Sequence, residues 1–283
     1  HGVKMANAAV NECDVLFLVG ARVGDRAVKT PLALEKTTKI IHIDIDPAEI
    51  GKNIGADLPL VGDAKLVLQQ MTELAKPMKH DEWIAHIKTL GGERKYVEPA
   101  KGTVNPRVFI DKLAKKMPAN VTVVADVGQN QIWTCTEYKF RKEGRLLTSG
   151  GMGTMGYSVP AAIGAKMADD SRATVAICGD GAFQMSFMEL ATAVQFGVDI
   201  KVVVMTNNRL GMVRELQTNG YHDRQTAVFL DGSPDFIKLA EAYGIPAMRV
   251  YDDDTMEKGV EMLAEHKGIC LVEVVVDKDM PTL

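Results

Sequence analysis

Two short β-branched runs, Thr174–Cys178 and Ile200–Met205, joined by a segment of helical periodicity, constrain this chain more than any other feature. Strands linked by a helix pair in parallel as a βαβ unit. The lengths agree: a helix of about 14 residues climbs roughly 21 Å, and a strand of about 6 residues spans roughly 20 Å on the return. The first run ends in Gly179-Asp180-Gly181 and the second in Thr206-Asn207-Asn208. Both ends therefore fall at the carboxyl edge of a parallel sheet, where open α/β sheets bind ligands. A carboxylate and a carboxamide beside a glycine-flexed turn at a helix start suit Mg²⁺ and a phosphate.

The same alternation extends in both directions. Residues 1–77 read as part of a Rossmann-like α/β domain: a helix over Met5–Cys13, strands over Asp14–Val19 and Lys39–Ile45, a third strand over Val61–Asp63, and a helix over Ala64–Leu74. Asp46 is placed to cap a short helix over Pro47–Ile50. Residues 78–104 are punctuated by Gly91-Gly92, Pro99 and Gly102 and read as a linker, with one helix around Asp81–Leu90 and Trp83 as a packing anchor. Residues 105–283 resume the βα pattern with six strands, a doubly wound, mostly parallel sheet. In the segment between Gly181 and Ile200, Phe183, Phe187, Leu190, Ala191 and Val194 recur at helical spacing and read as core.

Composition narrows the partners. A net charge of −4 makes no electrostatic case for nucleic acid or an anionic membrane. No apolar run approaches the roughly 20 residues of a membrane span. The four cysteines have no CxxC spacing, and Cys178 and Cys270 lie in apolar runs, so reduced thiols and a cytoplasmic location are expected. The chain opens on His1 rather than Met, in residues that already look like domain interior, and a C-terminal fragment of a longer protein is expected.

Asp180 and Asn207, with their glycine-flanked turn and about 25 residues of separation, resemble the fingerprint of thiamine diphosphate enzymes. That resemblance implies Mg²⁺ held by the Asp180 carboxylate, the Asn207 side chain and the Arg209 main-chain carbonyl, with Thr206 outside the ligand set. Gly179, Gly181 and Ala182 then border the cofactor. Further motifs resemble the acetolactate synthase large-subunit family. Asp126-Val127-Gly128-Gln129-Asn130-Gln131-Ile132-Trp133 is similar to DVGQHQMW, with Asn130 in place of His. Gly150-Gly151-Met152-Gly153-Thr154-Met155-Gly156-Tyr157 is similar to GGLGTMGYG, and Gly211-Met212-Val213-Arg214-Glu215-Leu216-Gln217 to GMVRQWQ. Gln129 and Asn130, entering a helix, are expected to meet the diphosphate or else to act only as capping residues. By resemblance, Met155 supports the bent cofactor from below, and Met185 and Met212 are apolar walls. Leu216 stands where the family usually has the Trp that lines the acceptor site, so a stronger preference for pyruvate as acceptor and tolerance of sulfonylureas are expected.

The amino-terminal part carries its own match. His1-Gly2, Gly20-Ala21-Arg22 with Asp25-Arg26, His42-Ile43-Asp44-Ile45-Asp46-Pro47 and Gly62-Asp63-Ala64 resemble the FAD-binding middle domain of that family. The resemblance implies a structural FAD near His1, Arg22, Asp44 and Asp63, against the plainer reading that Asp44 and Asp46 cap turns. It also implies a homodimer or homotetramer with shared active sites, pyruvate and 2-ketobutyrate as substrates, branched-chain amino-acid biosynthesis as context, and room for a regulatory small subunit. The family's pyrimidine-binding domain, with the Glu that activates the cofactor, is absent from these residues, so the 283-residue chain alone is expected not to turn over. The rival readings are another thiamine diphosphate carboligase or 2-ketoacid decarboxylase, and a cofactor-binding protein without catalysis.

Overall fold

A computed structural model describes residues 2–24, 27–28, 31–91, 96–141 and 143–282. His1, Asp25 and Arg26, singled out above for the flavin, lie outside the described residues. The chain divides into two compact units, His1–Arg94 and Lys95–Leu283.

The first unit contains α1 (Lys4–Glu12), β1 (Val15–Val19), α2 (Pro31–Glu35), β2 (Lys39–Asp44), β3 (Leu58–Val61), α3 (Ala64–Leu74) and α4 (Asp81–Thr89). Its strands form a parallel sheet in the order β1-β2-β3. Leu18, Leu34, Ile40 and Ile54 make its core. Two expectations shift here. The third strand is Leu58–Val61, because Asp63 leaves the ladder to cap α3, accepting from Leu66 N at 3.1 Å. Pro47–Ile50 forms turns rather than a helix: Asp46 does accept from Ala48 N at 2.9 Å, but Gly51, at φ +75°, breaks the run. Residues 78–104, read as a linker, are shared between the units. In the first unit α4 packs on α1, where His86 Nε2 and Glu12 Oε2 lie 2.6 Å apart and Trp83 packs on His86. In the second unit Asn105 holds Val97 O, and Val104 N–H donates to Val275 O.

The second unit begins with α5 (Pro106–Lys116). Asn105 caps it by accepting from Arg107 N and Val108 N, a device worth about 1 kcal/mol. There follow β4 (Thr122–Ala125), α6 (Gln129–Glu137), β5 (Arg145–Thr148), α7 (Ser158–Ala168), β6 (Thr174–Gly179), α8 (Asp180–Phe183), α9 (Leu190–Gln195) and β7 (Ile200–Thr206). The chain continues through α10 (Gly211–Gly220), α11 (Phe236–Ala242), β8 (Ala247–Val250), α12 (Asp253–Glu265) and β9 (Cys270–Val275). All six strands are parallel, in the order β5-β4-β6-β7-β9-β8.

Period-two alternation along each strand feeds two cores. Val123, Val175, Val203 and Val272 pack with Phe109 of α5, Trp133 of α6 and Leu263 of α12. Val124, Ala176, Val204 and Leu271 pack with Val159 of α7, Phe183 of α8, Leu190 of α9 and Phe236 of α11. Helices on both faces explain why the strands read as unbroken apolar runs. The strand order reverses direction between β4 and β6, and there the crevice of a doubly wound sheet opens.

The crossover from β6 to β7 is not one helix. It is broken into α8, a 3-10 turn at Phe187–Glu189, and α9. Met185 N and Ser186 N bond three residues back, to Ala182 O and Phe183 O, and Ser186 at φ −144° leaves the helical region. The break changes the phase of the following turn. Phe183, Leu190 and Ala193 are fully buried, whereas Val194 and Ala191, expected in the core, are exposed. Cys178 and Cys270 are buried free thiols. Among the described residues no helix is long and apolar enough to cross a membrane.

Candidate functional site

Three adjacent strands, β4, β6 and β7, end at one place and deliver Asp126, Asp180 and Asn207. Asp126 is fully buried and ties down the glycine-rich loop: Oδ1 accepts from Val127 N (2.8 Å) and Gly156 N (3.0 Å), and Oδ2 from Ser158 N (2.7 Å). This buried acid carries that loop, with Met155, to the switch point. An acid directly after a strand and before a glycine is the local signal that marks it.

Asp180 is 1% exposed, and its partners are backbone N–H groups. Oδ1 accepts from Gly181 N at 2.9 Å, and Oδ2 from Asn208 N at 2.7 Å and Asn207 N at 3.2 Å. The side chain is thereby fixed against the end of β7. Burial pushes its carboxyl up to about 6, against the lowering effect of those three backbone donors. A buried acid held by backbone dipoles, with no cationic side chain balancing it among the described residues, is the arrangement a hard cation completes.

Asn207 faces the same point. Its Oδ1 accepts from Arg209 N at 3.1 Å, and its Nδ2 donates to Gln129 Oε1 at 3.1 Å. Asn208, at φ +54°, turns the chain, and Leu230 N→Asn208 O and Leu210 N→Val228 O form a bridge around Arg209. These bonds do not use the Arg209 carbonyl. Its guanidinium is drawn off to Asp231 (2.8 Å) and over the Phe229 ring, at 4.7 Å from the centroid. A carboxylate, a carboxamide oxygen and a main-chain carbonyl are all hard oxygen donors and fit Mg²⁺.

The donors open onto a cavity of about 100 Å³. Met155, Met212 and Trp133 supply apolar wall, and Gly179, Gly181 and Ala182 border the cavity. Gln129 and Asn130 line it too, but their amides are engaged: Asn130 Nδ2 donates to Asp126 O and Ile177 O (2.8 and 3.2 Å), binding β4 to β6. Gly128, at φ +141°, gives the turn room, since a methyl there would lie 2.7 Å from Asn130 Oδ1. Two expected wall residues are not brought in. Leu216 lies one turn beyond Met212 on α10 and is half exposed, and Met185 sits in the break after α8, exposed beside Gly156. Sequence reading missed Gly211, over which Gln129 passes, and the contacts of Glu215 and Thr282 with Gln129. No local pattern announces them, because Glu215 and Thr282 lie 86 and 153 residues from Gln129.

In the first unit, Asp44 and Asp63 stand at the carboxyl ends of β2 and β3. Each already accepts a backbone N–H, Asp44 from Asp46 N at 2.9 Å and Asp63 as the cap of α3. The Arg22 carbonyl accepts from Asn53 Nδ2 at 2.9 Å.

Comparisons with known proteins place the chain in a family. Residues 126–274 match the thiamine pyrophosphate enzyme C-terminal TPP-binding domain, and residues 1–71 match the central domain of the same enzymes. The chain is 39% identical to the probable acetolactate synthase large subunit of Methanocaldococcus jannaschii, over 98% of this chain and 49% of that protein. It is 36% identical to the acetolactate synthase large subunit of Lactococcus lactis (98% and 48%), and 35% to the isozyme 2 large subunit of Escherichia coli (98% and 50%). The chain thus spans about half the length of these curated relatives. The domain match begins at Asp126, the acid that anchors the glycine-rich loop, and runs through Asp180 and Asn207 into β9, so the strand-end site and the cavity beside it lie wholly within the matched domain, and the chain belongs to the thiamine pyrophosphate enzymes.

Proposed function

We propose that this chain is the cofactor-binding part of an acetolactate synthase catalytic subunit, which joins the two-carbon remainder of pyruvate to a second 2-ketoacid. The observation that carries the reading is Asp180, buried with no cationic partner among the described residues and fixed beside Asn207 at a cavity walled by Met155 and Met212. The names of the relatives and their match over nearly the whole chain extend it from cofactor to reaction.

Asp180, Asn207 and the Arg209 carbonyl would hold Mg²⁺, which would supply the positive charge that a diphosphate needs there. Bound thiamine diphosphate supplies the electron sink that lets a 2-ketoacid lose CO₂ and pass its remaining carbons to an acceptor. The chain's own contribution is positional. Asp126 fixes the loop that brings Met155 to the cavity. Met155 and Met212 exclude water from the reacting end. The Asp180 proton must leave before the metal can bind. Mg²⁺ affinity is therefore full above about pH 6 and weakens about tenfold per unit below it, with one proton released on binding, as calorimetry in two buffers would measure. An affinity flat from pH 5 to 7 would contradict this.

FAD binding in the first unit belongs to the same proposal. Its support is the parallel three-stranded sheet with Asp44 and Asp63 at the carboxyl ends of their strands. A structural flavin would give visible absorbance in the purified protein. Met152, Met185 and Met188 are exposed on the segments after β5 and β6, apolar surface that a second copy of the chain covers in a homodimer.

Product analysis of the complete protein with pyruvate tests the function. Acetolactate is expected, whereas acetaldehyde as the main product would favour a decarboxylase.

A further inference from the structure

The strand-end site is joined by hydrogen bonds to a segment that no motif flagged. After β9 the chain returns so that Met280 and Thr282 are buried against the starts of α6 and α10. Trp133 Nε1 donates to Pro281 O at 3.1 Å and anchors the segment. Gln129 Nε2 donates to Met280 O (2.9 Å), Thr282 Oγ1 (3.2 Å) and Glu215 Oε2 (3.3 Å). Thr282 N donates to Glu215 Oε1 at 3.2 Å, and the Thr282 hydroxyl donates to Glu215 Oε2. On its other side, Gln129 Oε1 accepts from Asn207 Nδ2.

A carboxamide is nearly symmetric in shape, and its neighbours decide which end is oxygen and which is nitrogen. Asn207 must turn its oxygen, not its NH₂, toward a cation. The two ends of this chain that can only accept are the Glu215 carboxylate and the Met280 carbonyl. The carboxylate takes the Thr282 proton, leaving the hydroxyl's lone pairs for Gln129 Nε2. Together these acceptors hold the NH₂ of Gln129 on their side, so its oxygen points to Asn207. That oxygen in turn holds the NH₂ of Asn207 on its side, so that Asn207 Oδ1, which accepts from Arg209 N with one lone pair, keeps its second lone pair for the metal. We propose that Glu215 and Thr282 are positioning residues for the magnesium ligand Asn207, acting through Gln129 by fixing the orientation of both carboxamides. Glu215 stands where the resembling motif GMVRQWQ has Gln, a side chain that can donate as well as accept. The inference rests on Asp180, Asn207 and Arg209 as the metal ligands.

The test is Mg²⁺ affinity, measured by calorimetry on the complete protein with saturating thiamine diphosphate, together with the thermal midpoint of the metal-free protein. Outer-shell partners of metal ligands typically contribute about 10–100-fold to affinity. Thr282→Val keeps shape and loses the hydroxyl, and is expected to weaken Mg²⁺ binding about tenfold with little change in thermal midpoint. Thr282→Ser is expected to restore it, and Glu215→Met to weaken it as Thr282→Val does. Should Glu215→Met fail to fold, the Val and Ser pair decides alone. Wild-type affinity in Thr282→Val, or a loss that Thr282→Ser does not restore, would overturn the proposal. A wild-type protein that binds neither Mg²⁺ nor thiamine diphosphate would instead overturn the assignment of the site.

Discussion

Asp180→Asn is expected to lower Mg²⁺ affinity by at least about 100-fold, beyond what loss of an outer-shell partner costs, and to abolish metal-dependent thiamine diphosphate binding. The substitution keeps the shape of a fully packed side chain, but its NH₂ cannot accept, so either the Gly181 N–H or the Asn207 and Asn208 N–H groups lose their acceptor. It removes the charge that the cation needs. Stability should respond with the opposite sign. The folded chain holds the Asp180 proton up to about pH 6, more tightly than an unfolded carboxyl does, so wild-type stability without metal falls as pH rises from about 4 to 6. The Asn variant lacks that proton and that decline. Metal titrations and thermal unfolding at pH 4.5 and 7 would measure both effects, and unchanged Mg²⁺ affinity would refute the role of Asp180.

The second large effect is expected at Gly211. A methyl group there would overlap the Gln129 carboxamide and lie 3.1 Å from Asn207 Nδ2. Gln129 can escape only by turning away, and its bonds to Asn207, Met280 and Thr282 all depend on its present position. Gly211 is the first residue of α10 and does not have a positive φ, so Ala meets no backbone strain there. Gly211→Ala should therefore leave the thermal midpoint close to wild type while Mg²⁺ affinity falls at least about tenfold. A parallel loss of stability and affinity would mean that the clash is relieved through the backbone rather than through Gln129.

These two residues mark the division between local and tertiary information. Asp180 was legible because its signal is short-range: a β-branched run fixes the strand, the run ends at Gly179, and strand arithmetic brings Asn207 level with Asp180. The parallel order of β6 beside β7, and the capping of α5 by Asn105, follow from the same nearest-neighbour rules. Resemblance to known motifs then supplied Met155 and Met212, both of which line the cavity.

The misses have physical causes of the other kind. The helical spacing of Phe183 to Val194 assumed one continuous helix, but buried contacts to two elements reward a break after α8 that rotates Ala193 inward and Val194 outward. Leu216 follows Met212 by one helical turn, yet helix direction, a tertiary quantity, leaves it outside the cavity wall. Sequence alone determined the α/β class, the parallel strands and the oxygen donors at their ends, because these depend on periodicity and on residues adjacent to strand termini. Only the tertiary structure decided that Gln129 bridges Asn207 to Glu215 and Thr282, because these partners reach it across most of the domain.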